Sequence, residues 1–414
     1  MAIPYTKHIL SNGLTLLIHE DHSTPLVSFH LVYKVGSKHE DPSLTGLAHF
    51  LEHFMFDGSV NVPDFDAHIQ KIGASCNAYT SKDMTGYHAL LPAQNLETIL
   101  WLESDRMLSL AFDEEKFIVQ KNVVLEEFNE RYLNKPFGDL SHQVSELVFQ
   151  VHPYQWQPIG KERSHVEKIT MDDLKQFYNR FYNPSNAVIA IAGHIKVDEV
   201  IRLVEKWFGT IPSGKHPLIQ LPQEPEQKEP RLLKLQRDVP VPLVYKMWSI
   251  PSSPSKEYYP LVIWAEILGG SDSGYLHEEL VHKQKLCVDA YTFLNIYAET
   301  TVLFVAGVPN TNFSVEQVNQ ALNDLVYSYQ AGERLSYNLQ RVKNKVVSDL
   351  LYDEILVQDK SSRLAVREAI AGVEQFENEI DRYLAVTEEE MLKTARQWMV
   401  PHRENTLFYG NFNK

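Results

Sequence analysis

Apolar and polar positions alternate with a period of two in several short runs near the start of the chain. Residues 7–20 read as a hairpin, KHIL and LTLLIHE around a Ser11-Asn12-Gly13 turn. Residues 25–34 (PLVSFHLVYK) make a second apolar strand, and Ser75 to Ser81 and Thr85 to Leu91 make two more around Lys82-Asp83. Helical spacing takes over at 64–72, at 95–110, and from Asp113 through KFIVQKNVVLEEFNERYLN. In that last run Val119, Val123, Val124 and Phe128 keep to one apolar side. Glu126, Glu127 and Glu130 read as a solvated face, yet Glu127 shares a face with Val123 and Val124, which turns one acid inward. A helix over 171–182, a strand over 187–192 and a helix over 197–208 follow.

Residues 211–230 hold five prolines and no apolar periodicity, which predicts a linker between residues 1–210 and 231–414. Beyond it the order repeats: strands LLKLQRD and PLVYKMWSI, a helix over 257–268, strands over 287–295 and 300–308, helices over 314–397, and a last strand from Thr406 to Tyr409. PLVYKMW echoes PLVSFHLVYK. A repeat of about 200 residues predicts a duplicated α+β architecture, each half a mainly antiparallel sheet with helices packed on it.

The 414 residues are too many for one ordinary core, and 44% hydrophobic with 22% charged residues is a globular composition. A net charge of −15 argues against a nucleic-acid backbone as partner. It leaves room for basic substrates at long range, although surplus carboxylates most often make a solvated surface. Cys76 and Cys287 form no disulfide framework and fit a reducing compartment. No apolar run approaches the length that spans a bilayer. The expectation is a cytoplasmic protein, or a periplasmic one if a leader peptide has been removed.

Chemistry concentrates in Gly46 to Gly58, whose centre reads HFLEH. At about 100° per residue, His49, Glu52 and His53 fall on one helix face. Two imidazoles one turn apart can hold a single metal ion, and the carboxylate between them can reach water on it. The order His-x-x-Glu-His is that of inverted zinc-peptidase helices. With 17 histidines a chance pair at this spacing is possible, but leaving these groups unsatisfied among Phe, Leu and Met would cost several kcal/mol. The matching helix of the second half, YYPLVIWAEILGG, has no histidine.

From NGLTLLIHED through GLAHFLEHFMFDGS, CNAYTSKDMTGYHALLP, NVVLEEFNE and HPYQWQPIG to FYNRFYNPSNAVIAIAGHI, the chain resembles the inverzincin metallopeptidases, the superfamily of insulysin, pitrilysin and the mitochondrial processing peptidase. Its size is similar to that of the short bacterial relatives of the processing peptidase β subunit. The resemblance implies two homologous α+β domains, the first carrying Zn²⁺ on His49 and His53 with Glu52 as general base. It implies Glu127 as third ligand, with Glu126 as the competing choice, and Asn77 and Ala78 on an edge strand that holds the substrate backbone. An acidic residue frequent in the family seven positions before the ligand is Gln120 here. The arginine and tyrosine that self-sufficient members carry fall on Val281 and Val288, with His282 and Tyr291 nearby.

The expected function is therefore a zinc endopeptidase of peptides or unfolded segments, the catalytic half of a heterodimer whose homologous, non-zinc partner supplies the arginine–tyrosine pair. A non-catalytic assembly subunit of the same family is the alternative.

Overall fold

The computed structural model describes residues 3–214, 219–329 and 335–412. Residues 215–218 of the expected linker and 330–334 of the helical stretch 314–397 lie outside the described residues. The chain forms two compact units. One comprises Met1–Leu133, His152–Pro222 and Leu351–Glu377, the other Asn134–Val151, Gln223–Leu350 and Asn378–Lys414.

In the first unit the strands are β1 (Thr6–Ile9), β2 (Thr15–Glu20), β3 (Leu26–Tyr33), β4 (Ser75–Thr80), β5 (Thr85–Pro92) and β6 (Ala187–Gly193). They form one sheet in the order β1-β2-β6-β3-β5-β4. Neighbours are antiparallel except β2 and β6, which run parallel. The central strands are near-continuous apolar runs because both faces of the sheet are covered. Leu16, Ile18, Phe29 and Leu31 point into the larger core, where helix Leu47–Met55 packs. Leu17, Val32, Val188 and Ala190 point the other way, against Leu364, Ala365 and Val373.

That second cover is helix Val357–Ile370, far along the chain from the sheet it covers. Polar contacts fix it in place. Lys360 Nζ donates to Asp21 Oδ2 at 2.5 Å, Ser28 and Ser361 hydroxyls meet at 2.7 Å, and Lys7 Nζ donates to Glu368 Oε2 at 2.9 Å.

The second unit holds β7 (Arg231–Gln236), β8 (Leu243–Ile250), β9 (Cys287–Ile296), β10 (Thr301–Pro309) and β11 (Asn405–Gly410), in the order β7-β11-β8-β10-β9. This order repeats β2-β6-β3-β5-β4, down to the parallel pair β7/β11 in the place of β2/β6. Helix Tyr258–Gly269 stands between β8 and β9 where helix Leu47–Met55 stands between β3 and β4. The fold is α+β, two sheet-plus-helix units of one topology.

Two segments cross the linear division at 211–230. Residues 134–151 pack with the second unit, where Asp139 accepts hydrogen bonds from Arg237 Nη2 at 2.6 Å and Tyr409 OH at 2.5 Å. Residues 351–377 pack with the first. Periodicity shows that a helix has an apolar side but not which sheet will cover it.

Candidate metal centre and active site

Helix Leu47–Met55 starts at Gly46, whose φ of 98° lies in the left-handed region. A side chain there would also come within 2.7 Å of Ile159 O, so only glycine suits the turn. Glycine cannot cap the helix with a side chain, and Glu40 does so instead. Its carboxylate accepts from Gly46 N–H at 2.9 Å and Ala48 N–H at 2.8 Å. Burial pushes Glu40 up to about 8, against the pull of those bonds.

The rest of the helix is anchored by Leu47, Phe50, Leu51, Phe54 and Met55, all buried. Phe50 packs on Phe117 at a ring separation of 5.1 Å, which joins this helix to Glu114–Phe128. The buried side of that second helix is Phe117, Val124, Leu125 and Phe128. Val119 and Val123, expected on the buried side, are exposed at 59% and 44%. The true stripe is rotated by part of a turn, and that rotation carries Glu127 toward the histidines.

His49, His53 and Glu127 converge. His49 Nε2 and His53 Nε2 are 3.3 Å apart, and Glu127 Oε2 lies 3.3 Å from His53 Nε2 and 3.7 Å from His49 Nε2. Among the described residues these three form the one group able to offer His, Cys or carboxylate ligand atoms to a metal ion together. Ligands about 2.0–2.1 Å from a tetrahedral centre stand about 3.3–3.4 Å from one another, so the observed spacing fits zinc-sized coordination. The donor chemistry fits as well. Burial, helped by neighbouring His53, lowers His49 to about 4, which keeps its imidazole neutral with a free lone pair. Burial works to raise Glu127, but His53, His49 and Arg131 together hold it below the usual carboxylate range. Two imidazoles and one carboxylate make a typical catalytic zinc set. Glu126 is exposed and accepts a hydrogen bond from Asn129 Nδ2 at 3.4 Å.

Glu52, on the same helix, accepts from Thr80 Oγ1 at 2.6 Å, and burial raises its carboxyl. It lines a cavity of about 680 Å³ together with His49, His53, Glu127, Asn77 and Ala78. Asn77 and Ala78 lie on β4, an edge strand of the sheet, and Ala78 N–H donates to Asn77 Oδ1 at 2.9 Å. Gln120 also lines the cavity and donates to Asp57 Oδ1 at 3.1 Å, while Asp57 Oδ2 is buried without a hydrogen-bond partner. The position that is often acidic in the family thus holds an amide beside a carboxylate.

Thr80, Arg131 and Tyr132 line the cavity and were not singled out from the sequence. Strand alternation offered a signal for Thr80, two residues beyond Ala78 and on its face. Helical spacing offered one for Arg131, four residues beyond Glu127.

Residues 15–155 match the family described as insulinase (peptidase family M16), and residues 168–346 match the peptidase M16 inactive domain. The chain belongs to peptidase family M16. Among M16 relatives, the zinc protease PqqE of Helicobacter pylori is 27% identical over 96% of this chain and 91% of its own. The probable mitochondrial-processing peptidase subunit β of Arabidopsis thaliana is 27% identical over 85% of this chain and 68% of its own. The crystal structure of a protease from Helicobacter pylori superposes with a TM-score of 0.92 at 25% identity, covering 98% of this chain and 99% of that one. The M16 architecture accounts for the two units of one topology, of which, among the described residues, the first alone carries the His/His/Glu cluster.

Proposed function

We propose that this M16 chain is a zinc-dependent endopeptidase of peptides or unfolded segments. The convergence of His49, His53 and Glu127 beside Glu52 carries the reading. His49, His53 and Glu127 would hold Zn²⁺, which when bound supplies a Lewis acid for the scissile carbonyl and lowers the pKa of water toward ~7. Glu52 removes the proton of the attacking water and delivers it to the leaving amine. Thr80 fixes the carboxylate rotamer by its 2.6 Å hydrogen bond. The substrate adds as a strand to β4, its backbone replacing Asn77 Oδ1 as partner of the Ala78 N–H. Such binding reads backbone more than side chains.

The arginine–tyrosine pair expected of a self-sufficient member falls on Val281 and Val288, and Val288 is 52% exposed with no donor to offer. Tyr291 packs with Phe293, and His282 with His277, at ring separations of 5.9 and 4.9 Å. We therefore place the chain as the zinc half of a heterodimer, and the Arabidopsis relative is itself named as a subunit. The free cysteines Cys76 and Cys287 favour the cytoplasm, and no described helix is long and apolar enough to cross a membrane.

The second reading is a non-catalytic assembly subunit, favoured by the match of residues 168–346 to an inactive domain. The intact His49, Glu52, His53 and Glu127 set weighs against it. Peptide cleavage by the isolated chain, then with a homologous subunit carrying the arginine–tyrosine pair, tests the proposal. Activity that rises sharply on addition supports the heterodimer. Full activity alone, undiminished by Tyr291→Phe/His282→Ala, refutes it. No hydrolysis in either case leaves the assembly role.

A further inference from the structure

The proposed mechanism gives Arg131, in the cavity wall, no contact with substrate. Arg131 is the one lysine or arginine among the lining residues, and it sits in the π-helical turn Asn129–Leu133 that follows helix Glu114–Phe128. Single π-helical turns are frequent at functional sites. Arg131 Nη2 stands 2.8 Å from Glu127 Oε1, while Glu127 Oε2 faces the two histidines. The guanidinium is thus one carboxylate's width from the candidate metal centre. Its side chain is 62% exposed, and among the described residues Glu127 is its one ion-pair partner.

A guanidinium has five N–H donors in a fixed fork, so pairing with one carboxylate oxygen leaves several unused. Phe56, Pro158 and Ile159, also in the wall, bring no side-chain acceptor and lower the local dielectric. The group that matches such a fork is a second carboxylate. In a peptide it comes from an aspartate or glutamate side chain or from the chain terminus.

Resting on the peptidase reading, we propose that Arg131 is a specificity residue that binds a substrate carboxylate placed within about one residue of the scissile bond. The net charge of −15 acts at long range, whereas Arg131 acts at contact inside the cavity. A charge-assisted contact of this kind is worth about one to two decades of affinity. The competing role, holding Glu127 in place for the metal, would affect every peptide alike.

The test is a binding measurement with zinc-saturated Glu52→Gln protein, in which turnover does not interfere. Two fluorescent peptides differ only in glutamate or glutamine next to the cleavage position, each with a free or amidated C-terminus. The expected result is a carboxylate preference of about 10–100-fold that disappears in Arg131→Gln and persists in part in Arg131→Lys. A Glu-over-Gln preference that survives amidation assigns the side-chain carboxylate, and a free-over-amidated preference shared by both peptides assigns the terminal one. A preference ratio unchanged by Arg131→Gln, or its absence in the parent protein, overturns the proposal. Because the readout is binding, a protein that shows the ratio yet never cleaves counts against the peptidase reading and not against Arg131.

Discussion

Thr80, on the edge strand β4, donates its hydroxyl hydrogen to Glu52 Oε2 across 2.6 Å and so ties the proposed substrate-binding edge to the candidate general base. The bond reaches from the sheet to the HFLEH helix, and it fixes the carboxylate in one orientation toward the cavity. Thr80→Val keeps the shape and removes the donor. Loss of a hydrogen bond to a charged group, about 1.5–3 kcal/mol, should lower kcat by roughly 10–100-fold while zinc content stays that of the parent. Steady-state kinetics with parallel metal analysis checks this, and unchanged kcat would detach Thr80 from the chemistry.

The two adjacent glutamates give a second expectation. Glu127→Gln should weaken zinc by more than the roughly 10–100-fold that loss of an outer partner costs, because it takes the negative charge from a proposed ligand. Glu126→Gln should leave zinc affinity alone, since Glu126 is exposed. Chelator competition measures both, and the reverse pattern would place the ligand one residue earlier.

Much of this site was legible in the sequence because its parts are local. His49, Glu52 and His53 share one helical face by spacing alone, and Gly46 and Gly58 mark that helix's ends. Periodicity turned one acid of helix Glu114–Phe128 inward, and the resemblance assigned Glu127 as the ligand. The apolar pattern of its helix is ambiguous, with Val119 and Val123 exposed and Leu125 buried. What stayed hidden depends on contacts distant in sequence. Nothing near Val357–Ile370 tells that it covers the second face of the first sheet, and nothing near Asp139 tells that it joins Arg237 and Tyr409 in the second unit. The π-helical turn at Asn129–Leu133 has no compositional signature either, and it holds Arg131.

Glu40 supplies the cap that Gly46 cannot. Glu40→Ala leaves the N–H groups of Gly46 and Ala48 buried and unpaired, at about 1–3 kcal/mol each. Denaturation should show that loss, and zinc affinity should fall with it as the ligand helix frays. Glu40→Gln keeps one acceptor oxygen and should recover part of both. A Glu40→Ala protein with parental stability and zinc affinity would contradict the capping role.

The Asp21–Lys360 pair sets a pH dependence. The hydrogen bond from Lys360, then that from Ser23, holds Asp21 well below the usual carboxylate range. Its folded-state pKa is thus depressed, so the pair's stabilisation is complete above the unfolded value near 3.8 and fades as pH falls below it. Asp21→Asn should cost about 1.5–3 kcal/mol near neutral pH and progressively less under acid conditions. Denaturant midpoints of both proteins at neutral and acid pH report this, and a difference that does not shrink on acidification would exclude the linkage.

The central claim is that His49, His53 and Glu127 hold one zinc ion. Its most direct test is the metal content of the purified protein by mass spectrometry, beside that of the His49→Ala/His53→Ala variant. The account predicts about one zinc per chain in the first and none in the second, with both proteins folded by circular dichroism. Stoichiometric zinc in the double variant, or a parent protein that stays metal-free in excess zinc, would contradict it.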